Sequence, residues 1–568
     1  MHKPFLRAAT FLQHLHLNGV NNLFISPGSR STPLTIAASV HPFLKSTVVL
    51  DERSAAFMAL GASKQTGRPS ALICTSGTAA ANYFPAIVEA KESGVPLIII
   101  TADRPPCLRN IGSSQTIDQT KLYGSQAVFF HDTGETEDSE QDLRRLIYLA
   151  KQAVEKSTEL GGAAHIKMPF RKPLEPSEAD MESAFGLFSK PANRRFPPFG
   201  HSSSEIQLSD DIVSLINESE RPLIVAGPSN PFESLEDQLT ELHEKFPAPV
   251  VAEPGCQLSG TKSTTVHLRF EQFLRNNNTR KQLSPDLVIR FGSQPFTRSL
   301  LSALEEWRDV PTLHIASRTG DQDHAMSADY KIFCKPGDSI HLNNIKGRKF
   351  ADWHSRWDNA EKSSGLKLNQ SLKSTTELTD GHVFHHLSKQ LTDDWNVMIS
   401  NSFPPRDMAL FGSPFGNQIV NRGAAGIDGI SSTAIGAHIS SNRKTCALLG
   451  DLAFLHDSNA LLSLSKSSEN PFVMVVVNNG GGTIFQMLPV QNMLKTSGSQ
   501  SVFDEFFTTP QTASIKHLAK AHKIDYAYVR SLSALESIQI NSIKNHTIIE
   551  CITDADASMK LRNELWKG

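Results

Sequence analysis

TCALLGDLAFLHDSNALLSLSKSSENPFVMVVVNNGGGTIFQMLP, residues 445–489, reads as strand, helix, strand. The apolar run 445–449 stops at Gly450-Asp451, and 457–466 carries Leu and Ala at helical spacing. The β-branched run 472–477 ends in Asn478-Asn479-Gly480-Gly481-Gly482. A helix joining two parallel strands crosses right-handedly and leaves both carboxyl ends on one crevice, so Asp451 and the Asn pair face the same space. One carboxylate and one amide oxygen suit a hard cation such as Mg²⁺, which keeps phosphate oxygens as partners. Three successive glycines let a backbone approach a diphosphate with no Cβ in the way. Taken singly, Gly-Asp and Asn-Asn-Gly are ordinary turn chemistry. Their pairing at two strand ends favours the diphosphate–metal reading.

Working outward, the same strand-then-loop unit recurs. In the first block, 22–26 leads to Pro27-Gly28-Ser29-Arg30-Ser31, 47–50 to Asp51-Glu52-Arg53 and an Ala-rich helix, 71–74 to Thr75-Ser76-Gly77-Thr78, and 95–101 to Ala102-Asp103-Arg104. Alternation of this kind predicts a doubly wound parallel sheet. Pro85 predicts a kink in the helix after Thr78. The Pro/Ser/Gly-rich stretch 172–204 reads as a linker. A middle block repeats the rhythm without G-x-G-x-x-G; Gly255-x₄-Gly260-Thr261-Lys262 approaches a P-loop but has no Lys directly after the second Gly. It reads as structural. After a polar region, 345–378, a third block follows and contains the opening stretch. The expected domains are 1–185, 200–350 and 375–568, each a parallel α/β layer. His382, His385 and His386 share one helix face, which is more often a packed or solvated face than a metal site.

Bulk properties narrow the classes. At 568 residues the chain is long enough for about three or four domains. With 39% hydrophobic and 20% charged residues, it has globular composition. A net charge of −2 gives no general attraction to nucleic acid or an anionic membrane. No apolar stretch is long enough to span a bilayer, and the amphipathic N-terminus is unlike a signal peptide. Six scattered cysteines without Cys-x-x-Cys fit free thiols in a reducing cytoplasm.

One regularity bears on substrate. Arg30, Arg104, Arg298 and Arg406 each follow a strand's carboxyl end, and Arg422 opens the loop Arg-Gly-Ala-Ala-Gly-Ile-Asp-Gly. A single loop arginine is usually a solubilising surface residue. Several at the ligand-binding edge imply a substrate with more than one carboxylate, because guanidinium pairs with carboxylate through two hydrogen bonds.

Together, Gly450-Asp451, Asn478-Asn479 and Glu52 after a strand resemble the thiamine-diphosphate-dependent enzymes of three-domain, pyruvate-oxidase-like order. Leu452 departs from the usual Gly-Asp-Gly, and Gly480 stands where relatives often have a third Asn. PGSRSTPL (27–34), DER (51–53), TSGTAAANYFPAIVEA (75–90), TADRPP (101–106), NRGAAGIDG (421–429) and GDL (450–452) are similar to the carboligases of menaquinone biosynthesis within that group. The resemblance implies decarboxylation of 2-oxoglutarate on thiamine diphosphate and addition of the resulting carbanion to isochorismate. It implies that Glu52 hydrogen-bonds the aminopyrimidine and that Asp451, Asn479 and the Gly481 carbonyl hold Mg²⁺ (or Mn²⁺). It places Ile427 as the wedge that bends the cofactor, with Gly450 and Ile484 beside it. Arg30, Arg104, Gln115, Arg298, Ser402, Arg406 and Arg422 match substrate-contacting positions, and Ile484, Phe485 and Leu488 an apolar wall. It also implies a homodimer or homotetramer with shared sites. Two alternatives are another thiamine-diphosphate-dependent 2-oxo acid decarboxylase and a nucleotide-binding protein of the same fold.

Overall fold

Continuous apolar runs become strands buried on both faces, because helices cover both sides of a parallel sheet. Every residue of Leu97–Asp103 and Ala163–Pro169 is buried, and all but the last of Phe472–Asn478. The computed structural model describes residues 2–135, 139–189, 203–233, 235–258, 266–317, 322–412, 417–464 and 470–567. Among these are three six-stranded sheets, all parallel, as the alternating pattern predicts.

Across the first sheet the order is Lys45–Val48, Asn22–Ile25, Ser70–Cys74, Leu97–Asp103, Ala163–Pro169, Ala127–Asp132. The third sheet repeats that topology: Gln418–Val420, Trp395–Ile399, Lys444–Gly450, Phe472–Asn478, Thr547–Ile552, Asp525–Val529. In both, the chain changes its direction of travel after the first strand, which makes a switch point between the first and third strands in sequence. The middle sheet runs Val266–His267, Val250–Ala252, Pro222–Ala226, Leu287–Phe291, Thr312–Ala316, Tyr330–Phe333, the order of dinucleotide-binding folds. The chain divides into two compact units. One comprises Met1–His201, Asn421–Asn442 and Asp457–Ser468 and contains the first sheet; the other comprises Ser202–Val420, Arg443–His456 and Glu469–Gly568 and contains the other two.

Several local expectations change. The stretch expected as a linker contains the helix Glu178–Phe188, started by a reciprocal Ser177–Asp180 capping box and burying Ala184 and Phe188; residues 190–202 lie outside the described set. The polar region holds a 24-residue helix, Ala351–Ser374, which buries Trp353, Trp357, Leu368 and Leu372. Its apolar stripe is too sparse to stand out from a charged surface. In place of one helix over 457–466 there is Asp451–His456, a 3₁₀ turn Ser458–Ala460 and Leu461–Leu464, with 465 and 466 outside the described residues. Pro85 does not kink a continuous helix. The chain breaks into Thr78–Ala81 and Phe84–Glu92, and Pro85 takes the first turn of the second, where an N–H is not needed. The near-P-loop lies outside the described residues from 259 onward. His382, His385 and His386 each meet a different backbone carbonyl, those of Leu372 (2.9 Å), Phe411 (3.0 Å) and Ile538 (3.1 Å), so they form a packed face.

Candidate active site

In the first unit, Glu52 opens the helix Glu52–Thr66. Asp51 caps it: Oδ1 accepts from the Arg53 and Ser54 N–H groups (2.9 and 3.3 Å), and Oδ2 from Asn459 Nδ2 (2.7 Å). That cap fixes where the helix begins and so holds Glu52 in its first turn. The helix packs on Ile430–Ile439 so closely that a Cβ on Gly61 would overlap the Thr433 carbonyl, and one on Gly436 the Met58 carbonyl. The loop before Ile430 carries Arg422 and Ile427. Its backbone is held by buried Glu89, which accepts from Gly423 N (3.0 Å) and Ala424 N (2.7 Å). Lys64 lies 3.5 Å from that carboxylate and donates to Asn421 Oδ1 at 3.0 Å.

Arg30 and Arg104 of this unit lie near one another at the first sheet's carboxyl edge. Buried Arg30 donates to the Phe170 carbonyl (2.8 Å), while its backbone N–H donates to Thr75 Oγ1 (3.2 Å). Burial lowers its pKa, and the nearby Arg104 lowers it further. Arg104 donates to Ser76 Oγ and to Gln115 Oε1, the latter at 3.4 Å. Two guanidiniums held near one another repel unless an anion sits between them. The adjacent Asp103 is already engaged by Lys167 (3.2 Å) and Arg109 (3.3 Å). Arg30, Arg104 and Gln115 therefore suit a carboxylate.

In the second unit, the register pairs Gly450 with Val477, which sets Asp451 level with Asn478. The two strand ends adjoin as expected, each one residue longer than the apolar runs suggest. Asp451 is buried. Burial pushes its pKa up to about 6; the N–H groups of Leu452 and Gly481 oppose the shift and nearby Asp380 adds to it. The Asn pair divides its work. Asn478 is used within the fold, its Nδ2 donating to Glu550 (2.7 Å) and its Oδ1 accepting from Gly480 N (3.3 Å). Asn479 gives Nδ2 to Asp380 Oδ2 at 3.0 Å, which turns its carbonyl oxygen to the other side. Gly481 has φ +122°, and a Cβ there would overlap the Thr508 carbonyl, which already accepts from Gly482 N at 2.7 Å. Only glycine fits this turn.

A buried carboxylate of raised pKa, an amide oxygen and a glycine loop fit a hard divalent cation, whose charge would remove the burial penalty on Asp451. This differs from a cluster of ionisable ligands: among the described residues no group of three His, Cys, Asp or Glu side chains is placed to hold a metal. Ile484 and Phe485 lie on the 3₁₀ turn Thr483–Met487, with Leu488 just after it. Phe485 and Leu488 are partly exposed, at 38% and 43%, and Phe485 meets Phe507 edge-on at 6.0 Å. Ser402, at φ +73°, precedes the helix Phe403–Phe411, and Arg406 donates back to the Ser402 carbonyl. Arg298 is exposed at the start of Arg298–Glu306. Its neighbour Thr297 donates N–H to Glu253 at 3.1 Å, a carboxylate close enough to Arg406 to raise that residue's pKa against the lowering by burial.

The expected site residues thus fall into two sets. Arg30, Glu52, Arg104, Gln115, Arg422 and Ile427 belong to the first unit, and Arg298, Ser402, Arg406, Gly450, Asp451, Asn479, Gly481, Ile484, Phe485 and Leu488 to the second. Three supporting residues went unread in the sequence. Gln119 joins Gly77 N (3.0 Å) to the Ala102 carbonyl (3.2 Å), and a lone Gln gives no signal. Glu89 stands on the buried side of an apolar helix, a placement that is itself the clue. Asp380, the first residue of a helix capped by Thr379, reads as an ordinary first-turn acid.

Two family models match the chain: the thiamine pyrophosphate enzyme N-terminal TPP-binding domain over residues 7–122 and the C-terminal TPP-binding domain over 411–551. With the first and third sheets and their edges, they define a thiamine-pyrophosphate enzyme. The chain is 35% identical to the 2-succinyl-5-enolpyruvyl-6-hydroxy-3-cyclohexene-1-carboxylate synthase of Listeria monocytogenes, over 98% of this chain and 96% of that protein. It is 33% identical to the synthase of that name from Haloquadratum walsbyi, over 99% and 97%. For that of Microcystis aeruginosa the identity is 36%, over 90% and 89%. The chain belongs to the 2-succinyl-5-enolpyruvyl-6-hydroxy-3-cyclohexene-1-carboxylate synthase family.

Proposed function

We propose that this chain decarboxylates 2-oxoglutarate with thiamine diphosphate and Mg²⁺ or Mn²⁺. It then joins the remaining four-carbon unit to isochorismate, the synthase reaction of menaquinone biosynthesis. The observation that carries the reading is the buried carboxylate of Asp451 at the strand end beside Asn479 and Gly481. Asp451, the Asn479 amide oxygen and the Gly481 carbonyl hold the cation, and Gly480, where a Cβ would meet nothing within 4 Å, leaves room for the diphosphate. Gly450, Ile427 and Ile484 flank the cofactor. When bound, thiamine diphosphate supplies a thiazolium carbon that takes the 2-oxo carbon and stores the electron pair freed with CO₂. Glu52 shares a proton with the aminopyrimidine ring as general acid and base. Arg30, Arg104, Gln115, Arg298, Ser402, Arg406 and Arg422 hold the carboxylates of two dicarboxylate substrates. Ile484, Phe485 and Leu488 keep water away, so the four-carbon unit is transferred and not released as succinic semialdehyde.

The domains of this reading are 1–185, 200–350 and 375–568. The working form is a homodimer or homotetramer with shared sites; Val48 and Leu50, 54% and 68% exposed just before Asp51-Glu52, support it. Its place of work is the cytoplasm, a reading supported by six cysteines that form no disulfide. Among the described residues no helix is long and apolar enough to cross a membrane. The test supplies 2-oxoglutarate with and without isochorismate, in thiamine diphosphate and Mg²⁺. Isochorismate-dependent formation of the coupled product is expected. Aldehyde and CO₂ alone in both cases would identify a simple decarboxylase instead.

A further inference from the structure

Asp380 is the first residue of the helix Asp380–Ser388, and its carboxylate is almost fully buried. Oδ1 accepts from Thr553 Oγ1 at 2.6 Å, and Oδ2 from both Arg562 Nη2 (2.6 Å) and Asn479 Nδ2 (3.0 Å). Arg562, on the helix Ala555–Trp566, also grips Asp407 through Nε (2.7 Å) and Nη2 (2.6 Å). Its guanidinium lies 3.7 Å over the Phe403 ring. Phe403 and Asp407 belong to the helix that follows Ser402 and carries Arg406. Buried ion clusters of this kind stabilise a fold little, since apolar residues of the same volume do as well or better. What this cluster does is hold one end of Asn479.

The two arms of an Asn amide have nearly the same shape and opposite chemistry. An amide turned the other way would aim N–H groups at a cation. Asp380 accepts from Nδ2 and so leaves oxygen as the outward arm.

We infer that Asp380 is a positioning residue for the proposed metal site: it fixes the Asn479 amide with oxygen outward and, through Arg562 and Asp407, ties the Asn479 loop to the helix bearing Arg406. This rests on the thiamine-diphosphate–metal reading given above. Mn²⁺ binding in the presence of thiamine diphosphate, followed by electron paramagnetic resonance with no substrate added, tests it. Asp380→Asn should weaken Mn²⁺ binding about 10- to 100-fold, the usual range for a group that orients a metal ligand. Thr553→Val removes a different hydrogen bond from the same carboxylate; it should lower the Tm and leave Mn²⁺ affinity within about threefold. In an Asn479→Ala background, where no amide remains to be turned, adding Asp380→Asn should change Mn²⁺ affinity by less than about threefold. Asp380→Glu keeps the charge but moves the carboxylate off Asn479, and should by itself weaken Mn²⁺ binding by more than about threefold. Wild-type affinity in Asp380→Asn (or in Asp380→Glu, if Asp380→Asn does not fold), equal weakening by Thr553→Val, or a full further loss on adding Asp380→Asn to Asn479→Ala would each overturn the inference. Failure of the wild type itself to bind Mn²⁺ with thiamine diphosphate would instead remove the reading beneath it.

Discussion

The middle and third sheets both bring strand ends and glycines to one edge, but they use that edge differently. In the middle sheet the loops after Pro222–Ala226 and Leu287–Phe291 close on each other. Gly227 N donates to the Phe291 carbonyl and Ser293 N to that of Pro228, both at 2.8 Å, and a Cβ on Gly227 would overlap the Ser293 carbonyl. The crevice is filled by its own backbone. In the third sheet the loops carry Ser402 and buried Asp451, and the glycine turn is held back by Thr508. A switch point is therefore only an opportunity; the loops decide whether it becomes a site. The first sheet, wound like the third, has its edge lined by Arg30 and Arg104.

Substitutions at the outer sheets should change chemistry, and those in the middle sheet stability. The largest effect is expected from Glu52→Gln, which should lower kcat by about 10²–10⁴ with the fold retained. Circular dichroism and a steady-state assay check it, and near-normal turnover would remove Glu52 from its role. Next come Arg104→Ala and Arg406→Ala. Losing a charged hydrogen-bonding group should raise the KM for 2-oxoglutarate or isochorismate about 10- to 100-fold, with thiamine diphosphate affinity little changed. Equal loss of cofactor binding would break the division between cofactor-holding and substrate-holding residues.

A matched glycine pair tests the comparison directly. Gly227→Ala should destabilise by about 1–3 kcal/mol through overpacking, with kcat/KM per folded molecule unchanged. Gly481→Ala should weaken Mg²⁺ binding about tenfold or more, because the strained turn moves a ligand. If both change only the Tm, the third-sheet turn is as structural as the middle one. The smallest effect concerns His314 in the middle sheet, 2.8 Å from the Gly292 carbonyl and next to Arg290. Burial, then Arg290, lowers its pKa to about 4. The unfolded chain takes up this proton near pH 6.5 and the folded chain only near 4, so the contribution to stability is complete above 6.5 and lost as pH falls through about 4. His314→Gln should flatten the fall in Tm between pH 6.5 and 4 by an amount equivalent to about 1–3 kcal/mol, and leave the pH profile of turnover alone.

The sheets were legible because buried parallel strands are apolar from end to end, as in Leu97–Asp103 and Phe472–Asn478. The outline of the candidate site could be proposed from sequence because Asp451 and Arg104 directly follow strands built on apolar runs. What stayed hidden acts across long sequence separations. Asp380 reaches Asn479, Thr553 and Arg562, and Glu89 reaches Gly423 and Ala424; none of these contacts leaves a local pattern. Ala351–Ser374 was hidden for another reason: a long, mostly solvated helix needs few apolar residues, and four buried ones suffice to dock it.

Where Gly61 and Gly436 let two helices touch backbone to backbone, no side chain lies between them to yield or adopt another rotamer. The two helices consequently move as one lever. Glu52 stands at the start of the first, and the loop with Arg422 and Ile427 leads into the second. Any excursion that displaces Glu52 should also displace Ile427, so slow amide exchange at both places should share a single opening rate.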